Sequence, residues 1–381
     1  MRKTPILILI LAAFLFSCSE NESRKRKKER EIPTYRIGVN LPLTGNGSYF
    51  AEEFKKGMDL AMEHVGDSSG KIRIEAIYED NKLNPKDAVT ITKKFIEIDD
   101  VDLVVTGYTP IIQATVGLLE REGIPTLLTL SSAANIAATH KWAFRDFELE
   151  SEIMPLLASY AYTSLDLRRG SWLVVNDDMG KDAVEFFSER FIELGGVMPG
   201  GEVFEPSELD LRNKINKVMD NDPDFVVLAG RGSAMINAIR QIRERAPELP
   251  IICNNTVDNE MVWTALGEDG DFIWYPRPYI DFSARLYNKA NERFKAKYGE
   301  DMNWLNVYGM TMVAYLVKGL HSSEGERDAM REYLRTLDVS SIRGRLVMDE
   351  NCDVNVPHVV YTRMNGQSVQ TEESIEVEKN D

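Results

Sequence analysis

The sequence predicts an α/β fold in two parts, each a parallel sheet covered by helices on both faces. Three observations carry this reading. From Tyr35 onward, short β-rich runs alternate with segments of helical periodicity, the pattern of strands joined by helical crossovers. The length of 381 residues, 43% of them hydrophobic, suits two domains with a core each. The rhythm also falls into two arrays, the second closed by a break at Pro276-Arg277-Pro278.

The first array opens with a strand at Arg36 to Leu41 and the turn-rich stretch Thr44 to Ser48. Phe54, Met58, Ala61 and Val65 then recur at three- and four-residue spacing, with Lys55, Lys56, Asp59 and Glu63 on the other side, which predicts a helix. A strand follows at Ile72 to Tyr78. Asn84-Pro85 opens the next helix, Asn as N-cap and Pro in the first turn, where its missing N–H costs nothing. Strand Leu103 to Thr106, helix Pro110 to Arg121 and strand Thr126 to Leu130 complete this array.

The second array alternates helices at Glu150 to Ser164, Lys181 to Leu194, Leu211 to Asp220, Ser233 to Arg245 and Glu260 to Leu266 with strands. Those strands are Ser171 to Val175, Glu202 to Phe204, Phe225 to Ala229, Ile251 to Cys253 and Phe272 to Tyr275. Beyond the break come helices Phe282 to Tyr298, Trp304 to His321 and Arg327 to Leu337, then strands Arg345 to Met348 and Val359 to Met364.

Composition narrows the function. A net charge of −16 argues against nucleic acid as a partner, because phosphate contacts need excess Lys and Arg. Three Cys and four His exclude a disulfide scaffold and most zinc sites. GxSxG, GxGxxG after a strand, GxxxxGK[ST] and HExxH are all missing, and His64, His140, His321 and His358 are scattered as surface or packing histidines. Gly230-Arg231-Gly232-Ser233 follows a strand and opens a helix, a place for an anion, but without the rest of a nucleotide fingerprint. Neither catalysis nor a cofactor or metal is expected.

The N-terminus differs in kind. Residues 1–30 hold eight basic and three acidic residues, leaving −21 on the remainder. Arg2 and Lys3 precede eleven apolar residues, Ile6 to Phe16, too few to span ~30 Å of hydrocarbon at about 1.5 Å per residue. Leu15-Phe16-Ser17-Cys18 resembles a bacterial lipobox, which makes residues 1–17 a signal peptide and Cys18 the lipidated first residue of the mature chain. Residues 18–33, with Arg24 to Arg30, read as a solvated tether that could also rest on anionic headgroups. Residues 371–381 are an acidic tail. In an oxidising compartment Cys253 and Cys352 could pair, though nothing requires it.

From residue 35 to about 365 the chain resembles the leucine/isoleucine/valine-binding family of type I periplasmic binding proteins, the solute receptors of amino-acid ABC importers. The resemblance rests on Ile37-Gly38-Val39 with Pro42-Leu43-Thr44-Gly45, on Gly57, and on Tyr78-Glu79-Asp80-Asn81 with Asn84 to Val89. Gly123-Ile124-Pro125 leads into Thr129-Leu130-Ser131-Ser132-Ala133. Trp142-Ala143-Phe144-Arg145, Arg343-Gly344 and Met348 to Val354 complete the set. It implies two doubly wound parallel-sheet lobes joined by three crossovers, with a ligand cleft between them. Lobe 1 would span 34–147 plus 279–353, and lobe 2 would span 148–278 plus 354–370. Hinge closure around the solute is the implied motion.

The resemblance also implies site residues. Ser131 and Ser132 would donate to a ligand carboxylate or cap a helix, and Thr109 would do either in the loop Gly107 to Ile111, where Ile111 takes a contacting serine's place; Tyr108 lies in the same loop. Phe50 takes the place of an aromatic over the ligand, with Tyr49 beside it. In lobe 2 the family's tyrosine corresponds to Arg231, and the acid that pairs with a ligand ammonium corresponds to Asn255; Asp258 would substitute only if the loop shifts. Asp177-Asp178-Met179-Gly180 lacks the tyrosine common before that glycine. A buried ammonium without a carboxylate costs several kcal/mol, so Arg231 and Asn255 suit an anionic, aromatic or amide ligand instead, unless Arg231 faces solvent or pairs with one of the many surface acids. Tyr275, Arg277 and Tyr279 line the cleft mouth or pack the hinge.

The leading expectation is a lipid-anchored, extracytoplasmic receptor that delivers a small solute to an ABC permease. The alternative is a sensor or a regulator of an envelope enzyme on the same fold. A hydrolase has only the acidic surface in its favour.

Overall fold

The structure is a computed structural model in which residues 32–45, 47–68, 72–133 and 135–371 are described. The signal segment, Cys18, most of the tether and the tail beyond Thr371 lie outside the described residues.

One sheet holds β1 (Thr34–Leu41), β2 (Arg73–Asp80), β3 (Leu103–Gly107), β4 (Thr126–Thr129) and β5 (Ala143–Arg145), all parallel, in the order β2-β1-β3-β4-β5. Helices α1 (Ser48–Ser68), α2 (Pro85–Glu97) and α3 (Thr109–Arg121) make its crossovers. As the sequence predicts, the Asn84 side chain accepts the Lys86 N–H and Pro85 sits in the first turn of α2.

The second array runs α4 (Glu150–Thr163), β6 (Gly170–Val175), α5 (Asp178–Glu193), β7 (Gly201–Phe204), α6 (Arg212–Met219), β8 (Phe225–Ala229), α7 (Gly232–Arg245), β9 (Ile251–Cys253), α8 (Glu260–Leu266) and β10 (Ile273–Pro278). After it come α9 (Arg285–Tyr298), α10 (Trp304–Ser323) and α11 (Arg327–Arg335), then β11 (Asp338–Ser341), β12 (Gly344–Met348), β13 (Val354–Asn355), β14 (His358–Met364) and β15 (Gln367–Gln370). The second sheet has the order β15-β14-β10-β9-β8-β6-β7, and β11, β12 and β13 form a small antiparallel sheet. Reversed, β7-β6-β8-β9-β10 repeats the order of the first sheet, with the antiparallel strands β14 and β15 added beyond β10.

The chain passes between the two sheets three times, after β5, after β10 and between β13 and β14. The buried apolar side chains divide along the same line. Phe54, Phe144, Tyr308 and Leu346 share one core, whereas Phe187, Phe225, Ile252 and Val360 share another around the second sheet. Helix α10 packs against α1 at its two tightest points through glycine. A Cβ at Gly57 would lie 1.9 Å from the Asn306 carbonyl oxygen, and one at Gly309 would lie 2.0 Å from that of Phe54. Asn303 starts α10 with a reciprocal capping box to Asn306.

Three expectations change. The prolines at 276 and 278 do not break the second array: β10 runs through them, paired with β14 as far as His358. Its other neighbour, β9, pairs only at Ile273 and Trp274, so the missing proline N–H groups interrupt no ladder on that side. Among the described residues Cys253 and Cys352 are free thiols, buried in the cores of different sheets, so they do not pair with each other. Helix α9 starts at Arg285, not Phe282, which lies exposed before it.

Candidate functional site

The loops at the carboxyl ends of the strands meet between the two sheets, where open α/β folds hold ligands. From the first sheet come the loops after β3 and β4. Each contains a non-glycine residue at positive φ, Tyr108 at 67° and Leu130 at 50°. Such backbone persists only where its surroundings hold it, and clusters at binding sites. The two loops are tied together by a 2.8 Å hydrogen bond between the hydroxyls of Thr109 and Ser131. Ser132 donates to Glu150 Oε1 at 3.0 Å. The Tyr108 hydroxyl donates to the Gly47 carbonyl, and burial raises its pKa against the opposing charge of Arg231.

Tyr49 and Phe50 begin α1, their rings edge to face at 5.6 Å, and Phe50 meets Trp304 at 6.3 Å. The Tyr49 hydroxyl is pushed up to about 12, by burial first and then by Glu53, with the Glu260 backbone acting the other way. Tyr49 therefore reaches from the first lobe to the start of α8.

In the second lobe Arg231 precedes α7. It pairs with Asp177 at 2.9 Å, its side chain 47% exposed, and its Nη2 lies 3.1 Å from Met179 Sδ. It is thus an occupied surface cation and not an open fork. Asp258 is also engaged: Arg277 Nη2 donates to it at 2.6 Å and Nε at 2.5 Å, while the guanidinium lies 4.4 Å from the centre of the Tyr361 ring. Asp258 and Arg277 thus form an ion pair within the second lobe, close to the second passage between the sheets. Tyr275 is buried and Tyr279 exposed.

The centre of the site is built by the first crossover, which the sequence reading did not single out. Arg145, Asp146, Glu148 and Glu150 are all fully buried. Arg145 grips Asp353 at 2.7 and 3.0 Å, and Arg343 grips Asp146 at 2.8 and 2.7 Å. Asp146 also accepts the Tyr315 hydroxyl at 2.9 Å. Farther along, Glu150 Oε1 accepts from Ser132 of one lobe and from Asn254 of the other, the latter at 3.2 Å. Asn255 donates to Glu148. Among the described residues Glu148 Oε1, Glu150 Oε2 and His358 Nε2 are buried without a hydrogen-bond partner, and Glu148 Oε1 lies 3.7 Å from His358 Nε2. Burial raises the Glu150 carboxyl to about 8, against the bonds from Asn254 and Ser132, with Glu148 and Asp182 adding to the rise.

The structure therefore brings together Thr109 with Ser131, Ser132 with Glu150 and Asn254, and Asn255 with Glu148. Arg231 stays at the rim with Asp177. His358, read as a surface or packing residue, is buried beside Glu148. A signal was present in the alternation Asp146-Phe147-Glu148-Leu149-Glu150 immediately after a strand. Among the described residues no group of three or more His, Cys, Asp or Glu is placed to hold a metal ion.

The sequence pattern of the periplasmic binding protein family matches residues 34–365. The chain belongs to that family. Its fold is similar to that of the leucine-binding protein LivK of Thermotoga maritima, with a TM-score of 0.82 at 21% identity, covering 88% of this chain and 97% of that one. It is also similar to the branched-chain amino acid substrate-binding protein LivJ of Streptococcus pneumoniae in complex with isoleucine, with a TM-score of 0.79, 18% identity and coverage of 89% and 100%. An ABC transporter solute-binding protein of Rhodopseudomonas palustris in complex with 3,4-dihydroxybenzoic acid gives 0.78, 18% identity, 89% and 96%. Among the described residues no helix is long and apolar enough to cross a membrane.

Proposed function

We propose that this member of the periplasmic binding protein family is an extracytoplasmic solute receptor, held to a membrane through lipidated Cys18, which captures a small ligand between its lobes for an ABC permease. One observation carries the reading: loops from the carboxyl ends of strands in both lobes converge on the buried carboxylates of the first crossover, with polar atoms there left unpartnered. Fold relatives in complex with isoleucine and with 3,4-dihydroxybenzoic acid support a small organic solute. Three crossovers allow the lobes to part and close about it.

A thermal-shift screen of the full chain against amino acids, aromatic acids, dicarboxylates and amides tests this. A solute at a hundred times its Kd adds ~2.7 kcal/mol of stability, a clear rise in Tm. Lack of response across the panel would sink solute capture. The second reading, a regulator working through protein contact, would then gain, because Ser132, Asn254 and Asn255 already bond one oxygen of each crossover carboxyl across the lobes. Cys18→Ala should abolish labelling by a fatty-acid analogue; retained labelling would remove the anchor.

A further inference from the structure

We propose that the buried carboxyl of Glu150 is a proton-dependent latch between the lobes: protonated, it holds them shut, and loss of its proton lets them part. The latch works without a solute, so it stands apart from what the cleft captures.

The geometry puts one side chain under the cover of both lobes. Glu150 begins α4, where the chain passes from the first sheet to the second, and it is fully buried. Ser132, after β4 of the first sheet, donates to its Oε1 at 3.0 Å, and the Ser132 carbonyl accepts its backbone N–H at 3.1 Å. Asn254, after β9 of the second sheet, donates to the same oxygen at 3.2 Å and lies 3.4 Å from Met179 Sδ, which covers the place from α5. Beside it Asn255 donates to Glu148. Parting the lobes draws the loop after β4 from the loop after β9, and water then reaches a carboxyl that was dry.

The groups around Glu150 set the sign. Glu148 on its own segment and Asp182 on α5 both oppose its charge. The arginines about the crossover are committed elsewhere: Arg145 to Asp353, Arg343 to Asp146, and Arg231, before α7, to Asp177. His358 on β14 lies 3.7 Å from Glu148, and Tyr308 on α10 also faces the charge of Glu148. Ser132 and Asn254 bring donors without charge. Burial among these groups puts the carboxyl at about 8 with the lobes shut, against an ordinary 4.5 once it is wet. The shut arrangement therefore holds the proton more tightly. Its advantage is full below about 4.5 and is lost as pH rises through about 8.

The test reads lobe separation with no solute added. The sheet orders put β2 and β7 at the edges farthest from the strands that lead into the crossovers, so the loops after them swing most. Lys86→Cys at the start of α2 and Ser207→Cys after β7 carry spin labels on exposed positions, while Cys253 and Cys352 are buried. Double electron–electron resonance on the full chain in detergent, from pH 5 to 9, reads the distance, and chains with one substitution alone report any label on Cys18. The expected result is a short separation at pH 5 to 6, with a longer population that grows by up to about tenfold per pH unit toward 8 and then levels. Glu150→Gln has no proton to lose and should stay short to pH 9. Ser132→Ala removes lobe 1's side-chain bond and should raise the long population at pH 6 by at least about threefold, the worth of one hydrogen bond. A separation that ignores pH in the natural chain overturns the latch, and so does a pH response that survives in Glu150→Gln. Should Glu150→Gln fail to fold, Ser132→Ala decides, and an unchanged long population at pH 6 overturns the latch.

Discussion

Two regions of the first crossover stand only a few residues apart and treat buried charge in opposite ways. At Arg145 and Asp146 every charge faces its opposite: Arg145 meets Asp353 and Arg343 meets Asp146, with two contacts each. At Glu148 and Glu150 two carboxyls stand together, and among the described residues each leaves an oxygen without a hydrogen-bond partner, that of Glu148 lying 3.7 Å from His358 Nε2. The first region ties lobe 1 to the segment leading into the third crossover. The second is buried and is held from both lobes. A buried ion pair costs about as much in desolvation as its attraction returns, so the paired region works by fixing geometry.

The largest test of that contrast is Arg343→Met. It leaves Asp146 charged and buried, with only Tyr315 as donor, and should destabilise the fold by ~3–5 kcal/mol in denaturant titration. A loss below ~1 kcal/mol would mean that the paired region is not the stronger constraint.

Next in size is Gly57→Ala. Its methyl would fall 1.9 Å from the Asn306 carbonyl oxygen and force α1 from α10, an expected loss of about 1–3 kcal/mol by the same titration. Wild-type stability would show that the two helices can slide apart freely.

At the unpaired region the effect lies in the pH dependence. The Glu150 carboxyl sits near 8 when folded against an ordinary 4.5, so the folded chain holds a proton that the unfolded chain has lost. Stability should therefore fall as pH rises from about 4.5 to about 8, by at most ~1.4 kcal/mol per unit, and level above that. Glu150→Gln carries no titrating group and should remove that share of the slope. An unchanged slope in the variant would place the titration elsewhere.

The smallest effect belongs to Arg231→Ala. Its partner Asp177 and its own side chain are both partly solvated, so the expected loss is below ~1 kcal/mol in thermal unfolding. A larger loss would give this rim pair a structural weight its exposure does not suggest.

Much of the fold was legible because its signals are local. The period of Phe54, Met58 and Ala61 marks α1, Asn84-Pro85 marks the start of α2, and continuous apolar runs such as Phe225 to Ala229 mark strands buried on both faces. The site was legible in part. Ser131, Ser132, Thr109 and Asn255 stand where loops from the two lobes meet, though their partners are one another and the crossover acids. For Arg231 the sequence left an anion fork and a pairing with a surface acid both open, because Asp177, far away in sequence, cannot be read from spacing; the structure sets the two 2.9 Å apart.

The sequence by itself determined the strand and helix succession, the family and the absence of a catalytic motif, since each depends on neighbouring residues or on a short pattern. Only the tertiary structure decided that Pro276 and Pro278 could stay within a strand, for that depends on β9 ending its ladder at Trp274. It also decided which acids matter. In a chain of 61 acidic residues the alternation after a strand is the one local mark on Glu148 and Glu150, and it is burial that separates them from those on the surface. Ser132, Asn254 and Asn255 reach them from other loops and His358 from a strand, and desolvation by such distant segments is what raises the Glu150 carboxyl.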